Sequence, residues 1–220
     1  AEQEVMFSSV HEGALVVDVG ANIGSTVLRF CQAVGASGRV IAFEPDPTNL
    51  QRCLKNLALN EFSNHTVEGI GLGEKASVAT LYQVNDRNPG MNRILSLPPG
   101  SAPGRQVRIE TLDHYVSQHG IDRIDVIKID VEGYETNVLR GATKSLSRFK
   151  PLLFLELCDD NLRGAGSSAQ ELLVFLEALG GQISEVKRGN RLRPVQCRSG
   201  LKTEIVCRFF AGENENTTFA

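Results

Sequence analysis

The chain has 220 residues, a hydrophobic fraction of 41%, a charged fraction of 22% and a formal net charge of −3. This composition is typical of a soluble globular protein, and the length predicts a single domain over residues 1–220, with its core at about 13–210 and a polar tail at 211–220. A sequence pI near 5.9 argues against a protein that holds nucleic acid or an anionic membrane by charge.

Short, nearly continuous apolar runs alternate with amphipathic segments, the pattern of strands buried on both faces. Seven strands are predicted, at Ala14–Val19, Val40–Phe43, His65–Ile70, Val126–Ile129, Leu152–Leu157, Ile183–Val186 and Ile205–Phe210. Helices are predicted between them at Ser25–Val34, Thr48–Asn60, Asn137–Arg148 and Ala169–Leu179. The alternation predicts a Rossmann-like α/β fold whose seven-stranded sheet is mostly parallel and carries helices on both faces.

Residues 77–112 interrupt this rhythm. Val78–Val84 and Gln106–Leu112 are predicted as two further strands around Asn85–Gly104, a stretch rich in Asn, Pro, Gly and Ser. Long irregular loops in compact domains are usually functional or mobile. We interpret the stretch as an insertion near the site that closes over substrate, with a disordered surface loop as the alternative.

The five cysteines include no C-x-x-C pair and no zinc-finger spacing, which fits a reducing compartment better than a disulfide scaffold. Cys31 and Cys53 lie in apolar helical patterns and are predicted to be packed thiols. No stretch reaches the roughly 18–20 apolar residues of a membrane helix, and no signal-peptide pattern opens the chain. We therefore expect a cytoplasmic protein with neither a membrane nor a nucleic-acid partner, and interpret the sequon at Asn216 as chance.

The segment Val17–Gly24, VDVGANIG, links the first predicted strand to a helix. Gly20 permits a tight turn, and Gly24 permits close approach of helix and ligand. The helix N-terminus offers N–H groups to a carboxylate, and Asp18 is placed to accept a hydrogen bond from an ammonium group. Asn22 replaces the middle glycine of the dinucleotide fingerprint, so the turn lacks clearance for a pyrophosphate. These features suit the methionine part of S-adenosylmethionine.

Glu44 ends the second predicted strand, about 20 residues beyond the glycine turn, where an acidic residue can accept hydrogen bonds from both ribose hydroxyls of an adenosine. Its charge would also repel a 2′-phosphate. The alternative is a simple solvated strand end. Pro45 and Phe43 are predicted to wall the adenine, although Phe43 could equally belong to the core.

A third motif, KIDVEGYE at Lys128–Glu135, closes the fourth strand and leads into a helix. Ligands in open α/β sheets bind outside the carboxyl ends of the strands. Asp130 and Glu132 are therefore predicted to point into the same crevice as the glycine turn and Glu44. Glu156, at the end of the fifth strand, is expected nearby.

The blocks VVDVGANIGS, GRVIAFEPDPTNLQRCLKNLALN, ETLDHY, IDVIKIDVEGYETNVLRGA and PLLFLEL resemble the FkbM family of S-adenosylmethionine-dependent methyltransferases, from about Gly13 to about Leu157. The resemblance implies a class I methyltransferase fold and, usually, O-methylation of a sugar or natural-product hydroxyl. His114 stands where the family often has a second acid, which leaves its role open. By position, Asp18, Gly20, Asn22, Gly24 and Glu44 match the family's cofactor motifs, and Asp130 and Glu132 match its motif after the fourth strand. The full set of residues predicted to bind the cofactor is Asp18, Gly20, Ala21, Asn22, Gly24, Glu44, Pro45, Ile70 and Asp130.

Methyl transfer to an alcohol needs a base that takes the hydroxyl proton during the attack. The candidate bases are Asp130, Glu132, Glu156 and His114, and position favours Asp130 or Glu132. For each, the alternative is an ordinary strand-end acid or a cofactor contact. Three carboxylates at one sheet edge could instead hold Mg²⁺ or Ca²⁺, which would acidify the hydroxyl, but a divalent metal is not favoured.

Cationic side chains cluster near the C-terminus, at Lys187, Arg188, Arg191, Arg193 and Arg198. A solvated surface is the simple interpretation, and a subsite for an anionic acceptor such as a phosphorylated sugar is the alternative. Two other classes of function also stay open. A nicotinamide-dependent oxidoreductase would use the same sheet, although the glycine spacing opposes it, and a catalytically silent nucleotide-binding module would share the fold.

Overall fold

Two sheets and their helices make up the part of the chain that the computed structural model describes, residues 2–83, 92–94, 104–187, 191–197 and 200–210. The helices are α1 (Glu2–Ser8), α2 (Ser25–Val34), α3 (Pro47–Ala58), α4 (Leu112–Gln118), α5 (Glu135–Arg140), α6 (Thr143–Phe149), α7 (Asp159–Gly164) and α8 (Ala169–Ala178). The strands are β1 (Leu15–Val19), β2 (Arg39–Phe43), β3 (His65–Glu68), β4 (Gly71–Leu72), β5 (Ser77–Gln83), β6 (Asn92–Ile94), β7 (Arg105–Glu110), β8 (Val126–Ile129), β9 (Leu152–Cys158), β10 (Gly181–Lys187), β11 (Arg191–Pro194) and β12 (Lys202–Phe209).

The main sheet has eight strands in the order β11-β10-β12-β9-β8-β1-β2-β3. The neighbours from β9 to β3 pair in parallel, whereas β12 and β11 run antiparallel to the strands beside them. The mostly parallel α/β prediction is confirmed, but eight strands replace the seven expected. The additional strand is β11, which forms a hairpin with β10. Its sequence, RLRP, is polar and largely exposed, so no apolar run marked it.

The parallel strands bring three separate parts of the sequence to one edge of the main sheet. Val19 of β1 lies in register between Phe43 of β2 and Ile129 of β8. The residues that follow these three strands therefore leave the sheet together. The chain order reverses between β1 and β8, and such a switch point is where open α/β sheets bind their ligands.

Within the described residues, the strands β4, β5, β6 and β7 form a second sheet in the order β4-β7-β5-β6. The two strands expected here are present as β5 and β7, but Leu112 begins α4 instead of ending a strand. The hydroxyl of Thr111 caps that helix by accepting a hydrogen bond from the amide of His114 at 3.0 Å. Most of the predicted closing loop at 85–104 lies outside the described residues, as do Val84, the sequon and the tail.

The helices follow local capping chemistry. Asp46 is the N-cap of α3, and its carboxylate accepts from the amides of Thr48 and Asn49, which satisfies donors that a helix start leaves free. The single helix expected at 137–148 is instead the pair α5 and α6. They separate at Gly141, where a Cβ would lie 1.9 Å from the backbone oxygen of Gly73.

Both faces of the main sheet are buried, since successive strand residues point to opposite sides. Val17 and Ile41 pack with α4, α5, α6 and α8 on one face, and Val16 and Val40 pack with α1, α2 and α3 on the other. The prediction of helices on both faces is confirmed. Cys31 and Cys53 are buried free thiols, as expected. Among the described residues, no helix has the length and apolarity needed to cross a membrane.

Candidate functional site

A glycine turn connects β1 to α2 at the switch point. Gly20 has a positive φ of 83°, and a Cβ added there would lie 1.9 Å from the backbone oxygen of Asp130. The amides of Gly20 and Ala21 donate to the carbonyl of Phe43, each at 3.0 Å. The turn therefore crosses the ends of β2 and β8 with backbone alone, and only glycine fits its first position.

Glu44 connects this turn to the end of β2. One carboxylate oxygen accepts from the amide of Asn22 at 2.7 Å, and the other accepts from the amide of Asp46 at 2.9 Å. Burial raises the pKa of Glu44 in spite of these two hydrogen bonds. Because a carboxylate accepts about four hydrogen bonds, two backbone partners leave capacity for hydroxyl donors.

A buried ion pair lies beneath the turn. Asp18 is fully buried, and its carboxylate lies 3.0 Å from the ammonium of Lys128 and accepts from the hydroxyl of Thr26. The same ammonium donates to the carbonyl of Gly20 at 2.9 Å and lies 3.7 Å from the carboxylate of Asp130. Burial alone lowers the pKa of Lys128, but the nearby carboxylates outweigh burial and raise it. The ammonium that Asp18 binds here is that of Lys128, and its predicted role toward a ligand stays a prediction.

A cavity of about 280 Å³ opens at this edge. Its wall contains the turn, the end of β2, the loop after β8 and apolar side chains of the small sheet. The lining residues are Val19, Gly20, Asn22, Phe43, Glu44, Pro45, Asn49, Gly71, Leu72, Leu81, Ile94, Asp130, Val131, Glu132 and Tyr134. Apolar walls with a few polar groups are typical of small-molecule sites. Phe43 was expected either to wall the adenine or to belong to the core. It lines the cavity and also packs edge-on against Tyr115 in the core.

Three carboxylates meet beside the cavity, as the strand ends predicted. Asp130, Glu132 and Glu156 each place one oxygen within 4.8 Å of the others. Such a cluster has the oxygen ligands that a divalent cation prefers. Each acid also has a partner of its own, because Asp130 lies near Lys128, Glu132 accepts from the amide group of Asn161 at 3.0 Å, and Glu156 lies 3.0 Å from the ammonium of Lys202. These partners already offset part of the negative charge, and the metal alternative stays a prediction.

Glu135 is a buried acid directly behind the loop that follows β8. Glu135 is the first residue of α5. One of its carboxylate oxygens accepts hydrogen bonds from the amides of Val131 and Gly133, at 3.3 and 3.0 Å. Burial raises its pKa from the ordinary 4.5 to about 7, although these amides pull the pKa down. The residue is therefore neutral in a large share of molecules near neutral pH.

We expect this acid to make the fold less stable as pH rises. A folded-state pKa above the unfolded value means that the folded chain binds the proton more tightly, so the contribution is complete below pH 4.5 and lost as pH rises through about 7. The free energy of unfolding should fall by about 3 kcal/mol over that range. Urea unfolding of the wild type and Glu135→Gln across the range measures this, because glutamine does not titrate. Parallel pH dependence in the two proteins would contradict it.

Several residues predicted to bind the cofactor do not line the cavity. Ala21 is buried in the core on one face of the main sheet, and Ile70 packs against the core on the other face. The sulfur of Cys53 in α3 lies where a side chain at Gly24 would be, since an added Cβ would be only 2.7 Å from that sulfur. The space that we expected Gly24 to provide for a ligand serves helix packing instead.

His114 lies away from the carboxylates, on the exposed side of α4. Leu112, Tyr115 and Val116 form the buried face of that helix, so residue 114 points to solvent, and its side chain is 59% exposed. The nearest acid to its ring is Glu110, at 4.0 Å. The geometry gives no support to His114 as a base.

The C-terminal cations are separated from the carboxylate cluster. Lys187 ends β10 and lies 2.7 Å from Glu185, while Arg191 and Arg193 lie on the edge strand β11. Arg188 and Arg198 are outside the described residues. Because β10 is two strands away from β9, the backbones of these two strands are about 10 Å apart. This position favours the solvated-surface interpretation.

Sequence reasoning missed several residues that build the cavity wall or support it. Lys128 carried a signal, because a single cation within a buried strand needs charged partners. Glu135 gave only the weak signal of an acid at a helix start. Leu81 and Ile94 gave none, since their place in the wall depends on how the small sheet packs.

Comparison with known proteins agrees with this geometry. The family model described as "Methyltransferase FkbM domain" matches residues 18–183. Methyltransferase 1 of Beauveria bassiana is 27% identical over 179 residues, covering 74% of this chain and 71% of its own length. The 2-O-methyltransferase NoeI of Sinorhizobium fredii is 25% identical over 161 residues, covering 67% of this chain and 65% of its own length.

A solved structure shares the fold. The crystal structure of methyltransferase FkbM from Methylobacillus flagellatus has a TM-score of 0.56 at 22% identity, and the match covers 89% of this chain. The match covers only 44% of that chain. At this level of identity the likeness shows a class I methyltransferase fold and carries no statement about substrate.

Proposed function

The chain belongs to the FkbM methyltransferase family, and we propose that it transfers a methyl group from S-adenosylmethionine to a hydroxyl oxygen of a sugar or natural-product acceptor. The observation that carries this proposal is one cavity that joins a buried Glu44 to the carboxylate of Asp130. The first group suits a ribose diol, and the second suits a hydroxyl that must lose its proton. A relative whose name specifies 2-O-methyl transfer supports oxygen as the acceptor atom.

The residues of the cavity fit S-adenosylmethionine. Glu44 would accept hydrogen bonds from both ribose hydroxyls, and Pro45 and Leu72 would contact the adenine. The side-chain oxygen of Asn22 is buried and has no hydrogen-bond partner among the described residues, so a donor on the ligand would satisfy it. A Cβ at position 20 would overlap the backbone oxygen of Asp130, so glycine there keeps the turn close to Asp130 at the edge of the cavity.

Asp130 is the carboxylate best placed to act as the base. It is the most exposed of the three acids, with 48% of its side chain accessible, and it lines the cavity. Glu132 is held by Asn161 and Glu156 by Lys202. Those two contacts are each 3.0 Å long, whereas the Asp130 carboxylate lies 3.7 Å from the ammonium of Lys128. The less tightly held acid has more freedom to approach an acceptor, so we assign the proton transfer to Asp130.

The chemistry divides between the ligand and the chain. Bound S-adenosylmethionine supplies an activated methyl group on its sulfonium. The chain must hold an acceptor oxygen in line with that group, an effect that can lower a barrier by about 7–11 kcal/mol. Asp130 accepts the hydroxyl proton as the oxygen attacks and can release it to solvent.

The family match also bears on the two alternative functions, an oxidoreductase and a catalytically silent binding module. A methyltransferase family is not the family of a nicotinamide-dependent oxidoreductase, which agrees with Asn22 standing in place of the middle glycine. A catalytically silent module would bind the same ligand without transferring the methyl group. A labelled-methyl screen over methyl glycosides, polyketide alcohols and peptides, with and without EDTA, tests transfer and the role of metal together.

We expect Glu44→Gln to weaken S-adenosylhomocysteine binding by about 10- to 100-fold, because hydrogen bonds to a charged group contribute roughly 1.5–3 kcal/mol. Titration calorimetry with S-adenosylhomocysteine and with NAD measures the affinity, and only the first should bind. Glu68→Gln is the matched control, since Glu68 ends the neighbouring strand β3, outside the cavity lining. Equal affinity in wild type and Glu44→Gln, or tight binding of NAD, would remove the cofactor assignment.

A further inference from the structure

The loop between β8 and α5 forms part of the cavity wall. Asp130, Val131, Glu132 and Tyr134 all line the cavity. Glu132 has a positive φ of 53°, a conformation that costs a residue other than glycine about 1–3 kcal/mol and persists only where its surroundings enforce it. Something in the structure must therefore hold this loop.

Two contacts from outside the loop hold it in place. Asn161 of α7 donates to the carboxylate of Glu132. In the second contact, the buried side chain of Glu135 accepts hydrogen bonds from the amides of Val131 and Gly133. These two amides flank Glu132, so Glu135 fixes the backbone on both sides of the left-handed residue.

Because Gly133 has no side chain, the loop can lie close to α7. Gly133 has a φ of 107°, and a Cβ there would lie 2.4 Å from the backbone oxygen of Asn161. The loop thus lies close against α7 at Gly133 and is also held by the side chain of Glu135. A shift of the loop would move Asp130, which precedes it directly.

We propose that Glu135 is a positioning residue for methyl transfer, which holds the loop from Val131 to Gly133 so that the Asp130 carboxylate faces the acceptor. Glu135 itself is 2% exposed and does not line the cavity, so it acts through the backbone and touches no substrate. The inference rests on the proposed methyltransferase function.

Residue-resolved amide exchange tests the structural half of this inference without an acceptor. In Glu135→Met, which removes both acceptors at similar volume, exchange of the Val131 and Gly133 amides should accelerate about tenfold or more. Glu135→Gln keeps an acceptor oxygen and should retain most of the protection. Equal protection of these amides in the wild type and Glu135→Met would overturn the inference.

The rate of methyl transfer tests the functional half. With the best acceptor from the labelled-methyl screen, Glu135→Met should lower kcat about 10- to 100-fold, as expected for a misplaced reacting group. Affinity for S-adenosylhomocysteine should stay within a few-fold of wild type, and Glu135→Gln should recover most of kcat. Glu135→Asp, which keeps the charge but shortens the side chain, provides a second variant if Glu135→Met does not fold.

Asp113→Leu is the matched control, because Asp113 also accepts from two backbone amides, those of Lys144 and Ser145, but does not belong to the cavity lining. It should lower stability and leave kcat unchanged. An equal fall of kcat in Asp113→Leu and Glu135→Met would overturn the positioning role. Absence of transfer by the wild type to any acceptor would instead count against the proposed function, while the exchange experiment would still decide the loop contact.

Discussion

Asp130→Asn should lower kcat for methyl transfer by about 10²- to 10⁴-fold, the range in which a positioned general base contributes. Asparagine has nearly the same shape but does not take up a proton at neutral pH. The lost step is proton transfer, so affinity for S-adenosylhomocysteine should change little. Initial rates of labelled-methyl transfer, combined with calorimetry on the same preparations, measure the two quantities separately.

The neighbouring acids provide the comparison for this experiment. Glu132→Gln and Glu156→Gln should lower kcat less than Asp130→Asn, because each of these acids is held at 3.0 Å by a side chain, closer than the 3.7 Å between Asp130 and Lys128. His114→Ala should leave kcat unchanged, since His114 is exposed on α4. A larger loss in Glu132→Gln than in Asp130→Asn would move the base to Glu132. A loss of cofactor affinity with normal kcat in Asp130→Asn would make Asp130 a cofactor contact.

Gly20→Ala should abolish measurable S-adenosylhomocysteine binding and lower the free energy of unfolding by roughly 2–5 kcal/mol. An alanine Cβ would lie 1.9 Å from the backbone oxygen of Asp130, so β1 and β8 would have to separate at their ends. Strain from the positive φ of 83° adds to that clash. Thermal unfolding and calorimetry measure the two effects.

Gly166→Ala separates the clash from the backbone strain. Gly166 has a φ of 84° but nothing within 4 Å of an added Cβ. That variant should lose only about 1–2 kcal/mol from the left-handed conformation and should bind the ligand normally. If Gly20→Ala and Gly166→Ala lose equal stability and both bind, the close crossing of the glycine turn and Asp130 is not what shapes the site.

Local sequence patterns were sufficient for seven of the eight strands of the main sheet and for the edge where the site lies, but not for the helices α1, α4 and α7. Continuous apolar runs gave the parallel strands, because a strand buried on both faces must be apolar throughout. The glycine turn, Glu44 and the acids after β8 could be placed together, because parallel strands end at the same edge of a sheet. Asp130, Glu132 and Glu156 lie within 4.8 Å as that argument requires.

The partners of these side chains could not be predicted from local patterns. Asp18 and Gly24 have the right residue types for ligand contacts, yet Asp18 binds Lys128 and Gly24 packs on Cys53. Both cases involve residues more than 25 positions apart in the chain, so no periodicity could indicate them. The helix break at Gly141, where the backbone of Gly73 approaches, escaped prediction for the same reason. The strand β11 escaped because its sequence is polar.

The sequence by itself determined the fold class, the family and the edge of the sheet that carries the chemistry, because burial and turn formation act over a few neighbouring residues. Only the tertiary structure decided that Leu81 and Ile94 of the small sheet help to line the cavity, that His114 faces solvent and that Glu135 holds the loop beside Asp130. These depend on the packing of distant segments, where a side chain's role is set by the neighbour that reaches it and not by its own residue type.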